Sequence, residues 1–165
     1  MDFQFDSDFN GRYFKVCNII DEYTRQHISF RVDHSIKACD VIELLDVAVL
    51  ERGAPAVLRM DNGPEFISKE LENWVSEQEL VQAFIPAGQP WHNGFVESLH
   101  NRMRDELFED NLFYDIEDAR AGLTWWSHRY NNEHPHSSLG YMTPNAFADQ
   151  WKKENEMETA QVAGA

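Results

Sequence analysis

The octet "RMDNGPEF", Arg59 to Phe66, decides how this chain is read. It continues a short apolar run, "PAVLRM" (55–60), that has the length of a buried strand. Asn-Gly and Gly-Pro are strong reversal signals, so Asp61 stands where that strand ends and the backbone turns. Asx residues make such turns by bonding their own backbone, so the octet alone is equally the mark of a plain turn. Its meaning depends on whether other carboxylates arrive at the same place.

On the N-terminal side, "DFQF" (2–5), "YFKVCNII" (13–20) and "QHISFRV" (26–32) read as an antiparallel meander. On the first strand Asp2 shares a face with Gln4 and Asp6, while Phe3 and Phe5 take the other. Residues 36–52 follow with helical spacing, stopped by Gly53. On the C-terminal side Ser68 is placed to cap a helix whose stripe is Leu71, Trp74 and Val75. "LVQAFI" (80–85) is a further strand, and "PAGQPWHNG" (86–94) is a loop by its Pro and Gly content.

That loop feeds "NGFVESLHNRMRDELF", a helix over about 94–109. Phe95, Leu99, Met103 and Leu107 recur every four residues as its buried face. Glu97, His100, Asn101 and Arg104 make a separate polar stripe, with Glu97 in the first turn beside the loop. Another helix starts at Asp115, with Asp118 completing a capping-box pattern, and carries Trp125, Trp126 and Tyr130 as core. Thr143-Pro144 opens the last helix, which is expected to fade at Lys152. Residues 1–150 form one domain, and 151–165 read as a disordered acidic tail.

Composition bounds the function. The 165 residues, 42% hydrophobic and 13% aromatic, suit one globular domain. No apolar run approaches the about 20 residues of a membrane span, and there is no basic-apolar leader, so a cytoplasmic, membrane-free location is expected. Cys17 and Cys39 lack motif spacing and read as reduced thiols. His134 and His136 have no partner ligands at a metal-site spacing. The formal charge of −15 argues against a free-standing nucleic-acid binder, whose footprint is basic.

The motifs argue the other way. "DNGPEFIS", "PWHNGFVESLHNRMRDEL" and "YNNEHPHSSLGYMTPNAF", in this order, with thirty-five residues between Asp61 and Glu97, resemble the integrase-core domain of bacterial insertion-sequence transposases. This is the DDE type related to retroviral integrases, and the likeness is greatest to the family numbered three. The opening "DFQFDSDFNGRYFKVCNIIDEYTRQ" resembles that family's first strands, and the similarity covers roughly residues 2–149.

The resemblance implies an α/β, ribonuclease-H-like fold: a mixed five-stranded sheet flanked by helices, its first and fourth strands side by side. Asp2, Asp61 and Glu97 would converge as catalytic and metal-binding residues. Two Mg²⁺ or Mn²⁺ ions would sit there, Asp2 bridging them. The reaction would be DNA strand cleavage and transfer of the freed 3′-hydroxyl, without a covalent protein intermediate. Arg104, Asn101, Trp91 and Asn93 would contact DNA, and the chain would form a homo-oligomer on transposon ends and target.

Departures from the family pattern are specific. The first-block Asp is residue 2, so most of its strand is absent, and the family's upstream helix-turn-helix region, or a partner reading frame supplying it, is missing. His134 replaces a common Arg, and Gln89 a frequent Lys. A non-catalytic remnant or inhibitory interaction module, and a ribonuclease-H-like nuclease, are the alternative readings.

Overall fold

The computed structural model describes residues 1–86 and 93–163, with side chains through Met157. Strands β1 (Asp2–Ser7), β2 (Tyr13–Ile20) and β3 (His27–Asp33) lead into helix α1 (Ala38–Arg52). Strand β4 (Val57–Met60), helix α2 (Lys69–Glu77) and strand β5 (Val81–Phe84) follow. Helix α3 (Gly94–Met103) runs into a π-helical turn at Arg104–Phe108, then come α4 (Ile116–Glu133) and α5 (Pro144–Ala163).

The strands form two sheets rather than the expected single five-stranded one. β1, β2 and β3 pair antiparallel, with Asp2 opposite Asn18 and Val16 opposite Val32. β4 and β5 pair parallel, Met60 opposite Phe84. The physical reason lies at the first residue. Among the described residues β1 and β4 are joined by a main-chain bond at Met1, whose nitrogen donates to Arg59 O at 2.7 Å. One such bond does not make a ladder. Side chains complete the seam: Phe3 stacks on Phe66 with ring centroids 4.8 Å apart, and Lys15 pairs with Glu65.

Strand β2 is apolar on both faces, and each face feeds a different core. Cys17 and Ile19 join Leu45, Met60, Phe66 and Leu71 under α1 and α2. Phe14 and Val16 join Leu99, Met103, Leu123 and Trp126 under α3 and α4. This double burial seats α3 across the sheet.

Local signals place the helix starts. Ser68 Oγ accepts from Leu71 N at 3.2 Å, and Asp115 Oδ1 from Asp118 N at 2.9 Å. Trp74 also donates to Asp46 at 2.8 Å, tying α2 to α1. Ser68→Ala is expected to cost about 1 kcal/mol, lowering Tm by about 2–4 °C in a thermal melt.

Three packing expectations are corrected. Phe95 is 38% exposed, and Val96 takes its buried place with Leu99 and Met103. A 3.6-residue repeat drifts off a strict every-four stripe within two turns. Trp125 is exposed, with the Arg129 guanidinium 4.6 Å from its ring centre, while Trp126 is core. The last helix does not fade at Lys152. It continues through Ala163, docked near its start by Phe147 and Trp151 against Tyr23. No helix among the described residues is long and apolar enough to cross a membrane.

Candidate active site

Asp61 sits directly after β4, where Asn62, Gly63 and Pro64 take the chain away from the sheet. Its Oδ1 accepts from Gly63 N at 2.9 Å, and Asn62 Nδ2 donates to Ile85 O at 2.8 Å, fixing the turn to the end of β5. A Cβ on Gly63 would stand 3.0 Å from Asp61 Oδ1, so glycine gives the carboxylate its room. The turn-forming role and the presentation of a carboxylate thus coexist in one residue.

Asp2 arrives from the other sheet. Its Oδ1 accepts from Phe3 N at 2.8 Å, and its Oδ2 accepts from Asn93 Nδ2 at 3.1 Å. Burial pushes the Asp2 carboxyl up to about 6; the Phe3 N–H opposes this, and the charges of Asp61 and then Glu97 add to the rise. Glu97, half-buried in the first turn of α3, completes the set. The three therefore share one electrostatic neighbourhood. They do not close on a point: among the described residues no three His, Cys, Asp or Glu side chains stand close enough to hold one ion.

Helix α3 lies over the polar face of β1. Gln4 Nε2 donates to His100 O at 3.1 Å, and Arg104 Nη2 donates to Phe5 O at 3.4 Å. Arg104 Nη1 is also 4.0 Å from Asp6 Oδ2, with the side chain 45% exposed. Asn101 is exposed, one turn beyond Glu97. Asn93 is buried, its amide spent on Asp2 rather than turned outward to DNA. Trp91 lies outside the described residues.

Sequence reasoning missed a buried polar chain beneath the site. Asn18, opposite Asp2 in the β1–β2 register, has its Oδ1 3.0 Å from His27 Nε2 and its Nδ2 3.1 Å from His100 Nε2. An amide oxygen accepts and an amide nitrogen donates, which assigns the proton to Nε2 of His27 and to Nδ1 of His100. Burial holds both imidazoles neutral, His27 down to about 3 and His100 to about 4. His27 is further framed by Asn131, which bonds both its main-chain N–H and its C=O at 2.9 Å. The readable signal was the lone Asn inside the apolar run "YFKVCNII".

Comparison with known proteins decides the family. Two profiles described as Integrase core domain match residues 1–90 and 78–144. The chain belongs to the integrase core domain family. It is 36% identical over 154 residues to a 39.2 kDa protein of insertion element IS476 from Xanthomonas euvesicatoria, covering 93% of this chain and 44% of that one. It is likewise 36% identical over 148 residues to a 31.7 kDa protein of insertion element IS407 from Burkholderia multivorans, covering 90% and 53%. This integrase core thus spans about half the length of the relatives it matches. In fold it is similar to the HTLV-2 integrase catalytic core domain in complex with magnesium, with a TM-score of 0.67 at 16% identity, covering 88% of this chain and 94% of that one.

The side chains fit a hard divalent cation in kind. All three acids offer oxygen donors, and none of them is salt-bridged to a lysine or arginine among the described residues. Burial chiefly, and the Asp61 and Glu97 charges after it, raise the Asp2 carboxyl, and a bound cation would favour its ionised form.

Proposed function

We propose that this integrase core is the catalytic domain of an insertion-element transposase, cleaving a DNA strand and joining the freed 3′-hydroxyl to another phosphodiester. The observation that carries the reading is that three separate elements bring Asp2, Asp61 and Glu97 into one electrostatic neighbourhood, where the charges of the other two add to the burial that pushes Asp2 up to about 6. Such sites are where perturbed acids serve chemistry.

Asp2, Asp61 and Glu97 would hold one or two Mg²⁺ or Mn²⁺ ions, which when bound acidify the attacking hydroxyl and stabilise the leaving oxygen. The chain's own residues do the rest. Asn93 and the Phe3 N–H orient the Asp2 carboxylate, and the Gly63 N–H orients Asp61 by holding its Oδ1. Arg104 and Asn101 offer donors to phosphate on the exposed side of α3. DNA ends and target are the partners, assembled on more than one copy of the chain, with end recognition residing in sequence outside these residues. The charge of −15 favours a second reading, a non-catalytic module that pairs with a full-length transposase.

Thermal melts with millimolar Mn²⁺ or Mg²⁺ separate the two. At a hundred times Kd, binding to the native state alone contributes about 2.7 kcal/mol, and Asp61→Asn is expected to remove the resulting rise in Tm. No rise in the parent would transfer the assignment to the interaction module.

A further inference from the structure

The acids and the basic groups of this chain are not evenly mixed. Against 29 acidic residues stand only 14 lysines and arginines, yet three arginines converge on one cavity of about 520 Å³ beside α3. Arg25, Arg59 and Arg102 line it with Ser98, His136 and Ser138. On α3, Phe95, Ser98 and Arg102 form one stripe and Glu97, Asn101 and Arg104 another. Helical spacing sets the two stripes on opposite flanks of the buried Val96–Leu99–Met103 face. The cavity therefore meets α3 on a different flank from Glu97.

The cations are held rather than loose. Arg25 sits in left-handed backbone, φ 62°, in the Asp21–Gln26 turn, where a non-glycine residue is strained. Its guanidinium donates to Glu22 O and lies 3.9 Å from the Phe95 ring centre. Arg102 reaches Glu106 at 3.4 Å, and Arg59 reaches Glu22 at 3.4 Å. Those two acids offset part of the positive charge. His136 nevertheless has a buried Nε2 without a hydrogen-bond partner among the described residues. Its ring packs edge-on to Tyr130, 5.2 Å between centroids. Guanidinium forks and serine hydroxyls around one cavity, with an imidazole nitrogen that donates in its Nε2–H tautomer, are the donor set that recognises a tetrahedral oxyanion.

We propose that this cavity is a phosphate pocket, and that it seats a phosphate of a DNA strand on the flank of α3 away from Glu97. The DNA half rests on the function proposed above; the phosphate half does not. A second anchor on the same helix would set the strand's angle across the carboxylates.

The test compares inorganic phosphate with chloride at equal ionic strength in thermal melts of the full chain. It then measures affinity for branched duplex DNA against salt. The variants are Arg102→Gln and Ser98→Asp; Ser98 is exposed on a helix surface, so its variant reads the pocket even if Arg102→Gln fails to fold. Expected is a phosphate-specific rise in Tm, equal in the parent and in Asp61→Asn and absent from both pocket variants. In those variants the log–log salt slope of DNA binding also shrinks by about one. No phosphate-specific rise in the parent overturns the pocket. A rise that the variants remove, with an unchanged DNA salt slope, overturns the DNA assignment and leaves a free phosphate as ligand. A phosphate rise retained in a chain without any metal response sinks the strand-transfer reading and supports the pocket on its own.

Discussion

An Asp2→Asn chain is expected to be more stable than its parent at pH 8 and inert in strand joining. The Asp2 carboxyl rises in the folded protein from 3.8 to about 6, first through burial and then through the charges of Asp61 and Glu97. A folded value above the unfolded one means that the native state holds the proton more tightly. Stability is then present at low pH and lost as pH rises from 3.8 through about 6. The full shift corresponds to about 3 kcal/mol, which partial solvent exposure reduces to about 1–2 kcal/mol. Asparagine removes that charge and keeps the acceptor for Phe3 N–H. Its amide requires only that Asn93 turn its own amide over. Urea unfolding at pH 8 should show the gain. Under the proposed function the same variant loses an oxygen assigned to the metal, and even outer partners of metal ligands cost 10–100-fold, so strand transfer on branched DNA should fall by more than about a hundredfold. A gain in stability with activity intact would remove Asp2 from the site.

Asn18→Leu has the opposite sign. Leucine has the same number of side-chain heavy atoms as asparagine but strips His27 Nε2 and His100 Nε2 of their partners at once. Two buried ring nitrogens left unpaired are expected to cost about 2–4 kcal/mol at pH 7. The midpoint in urea should drop with the slope unchanged. The imidazoles also set the acid limb of the parent. Their folded values, about 3 and about 4, lie below the unfolded 6.5. The unfolded chain therefore takes up protons first. The stability they confer is complete above pH 6.5 and is lost as pH falls toward 4 and then 3. His27 alone accounts for about 3 kcal/mol of that loss by pH 4. Asp2 works against this loss between pH 6 and 4, so Asp2→Asn should make the acid limb steeper.

Much of this was legible because the signals are local. The turn at Asp61, the caps at Ser68 and Asp115 and the helix bearing Glu97 each follow from a few adjacent residues. What was not legible depends on distant partners or on exact phase. Asn18 and His100 meet across 82 positions, and nothing in either segment names the other. A count of fours puts Phe95 inside where the helix counts 3.6, and the aromatic run of α4 does not by itself tell the exposed Trp125 from the buried Trp126. The extension of α5 did carry a sign, since Lys, Glu, Met, Gln and Ala beyond Lys152 are good helix formers. Acidity was read instead as disorder. The single sheet failed for a geometric reason, because closure across β1 and β4 turns on how far one strand overlaps the other, a length that side-chain pattern does not encode.

That short overlap has a consequence for how the site exists at all. Asp2 belongs to the antiparallel half of the molecule, Asp61 to the parallel half, and Glu97 to a helix gripping the first half through Gln4 and Asn18. Near the site the halves meet through the Met1–Arg59 main-chain bond, the Phe3–Phe66 stack and the Lys15–Glu65 and Arg59–Glu22 ion pairs, over the core that Cys17 and Ile19 share with Met60 and Phe66. The triad is therefore a property of docking and not of either half. Any ligand that bridges Asp2 and Asp61 spans the joint and works as a clasp, so occupancy of the site and cohesion of the domain rise and fall together.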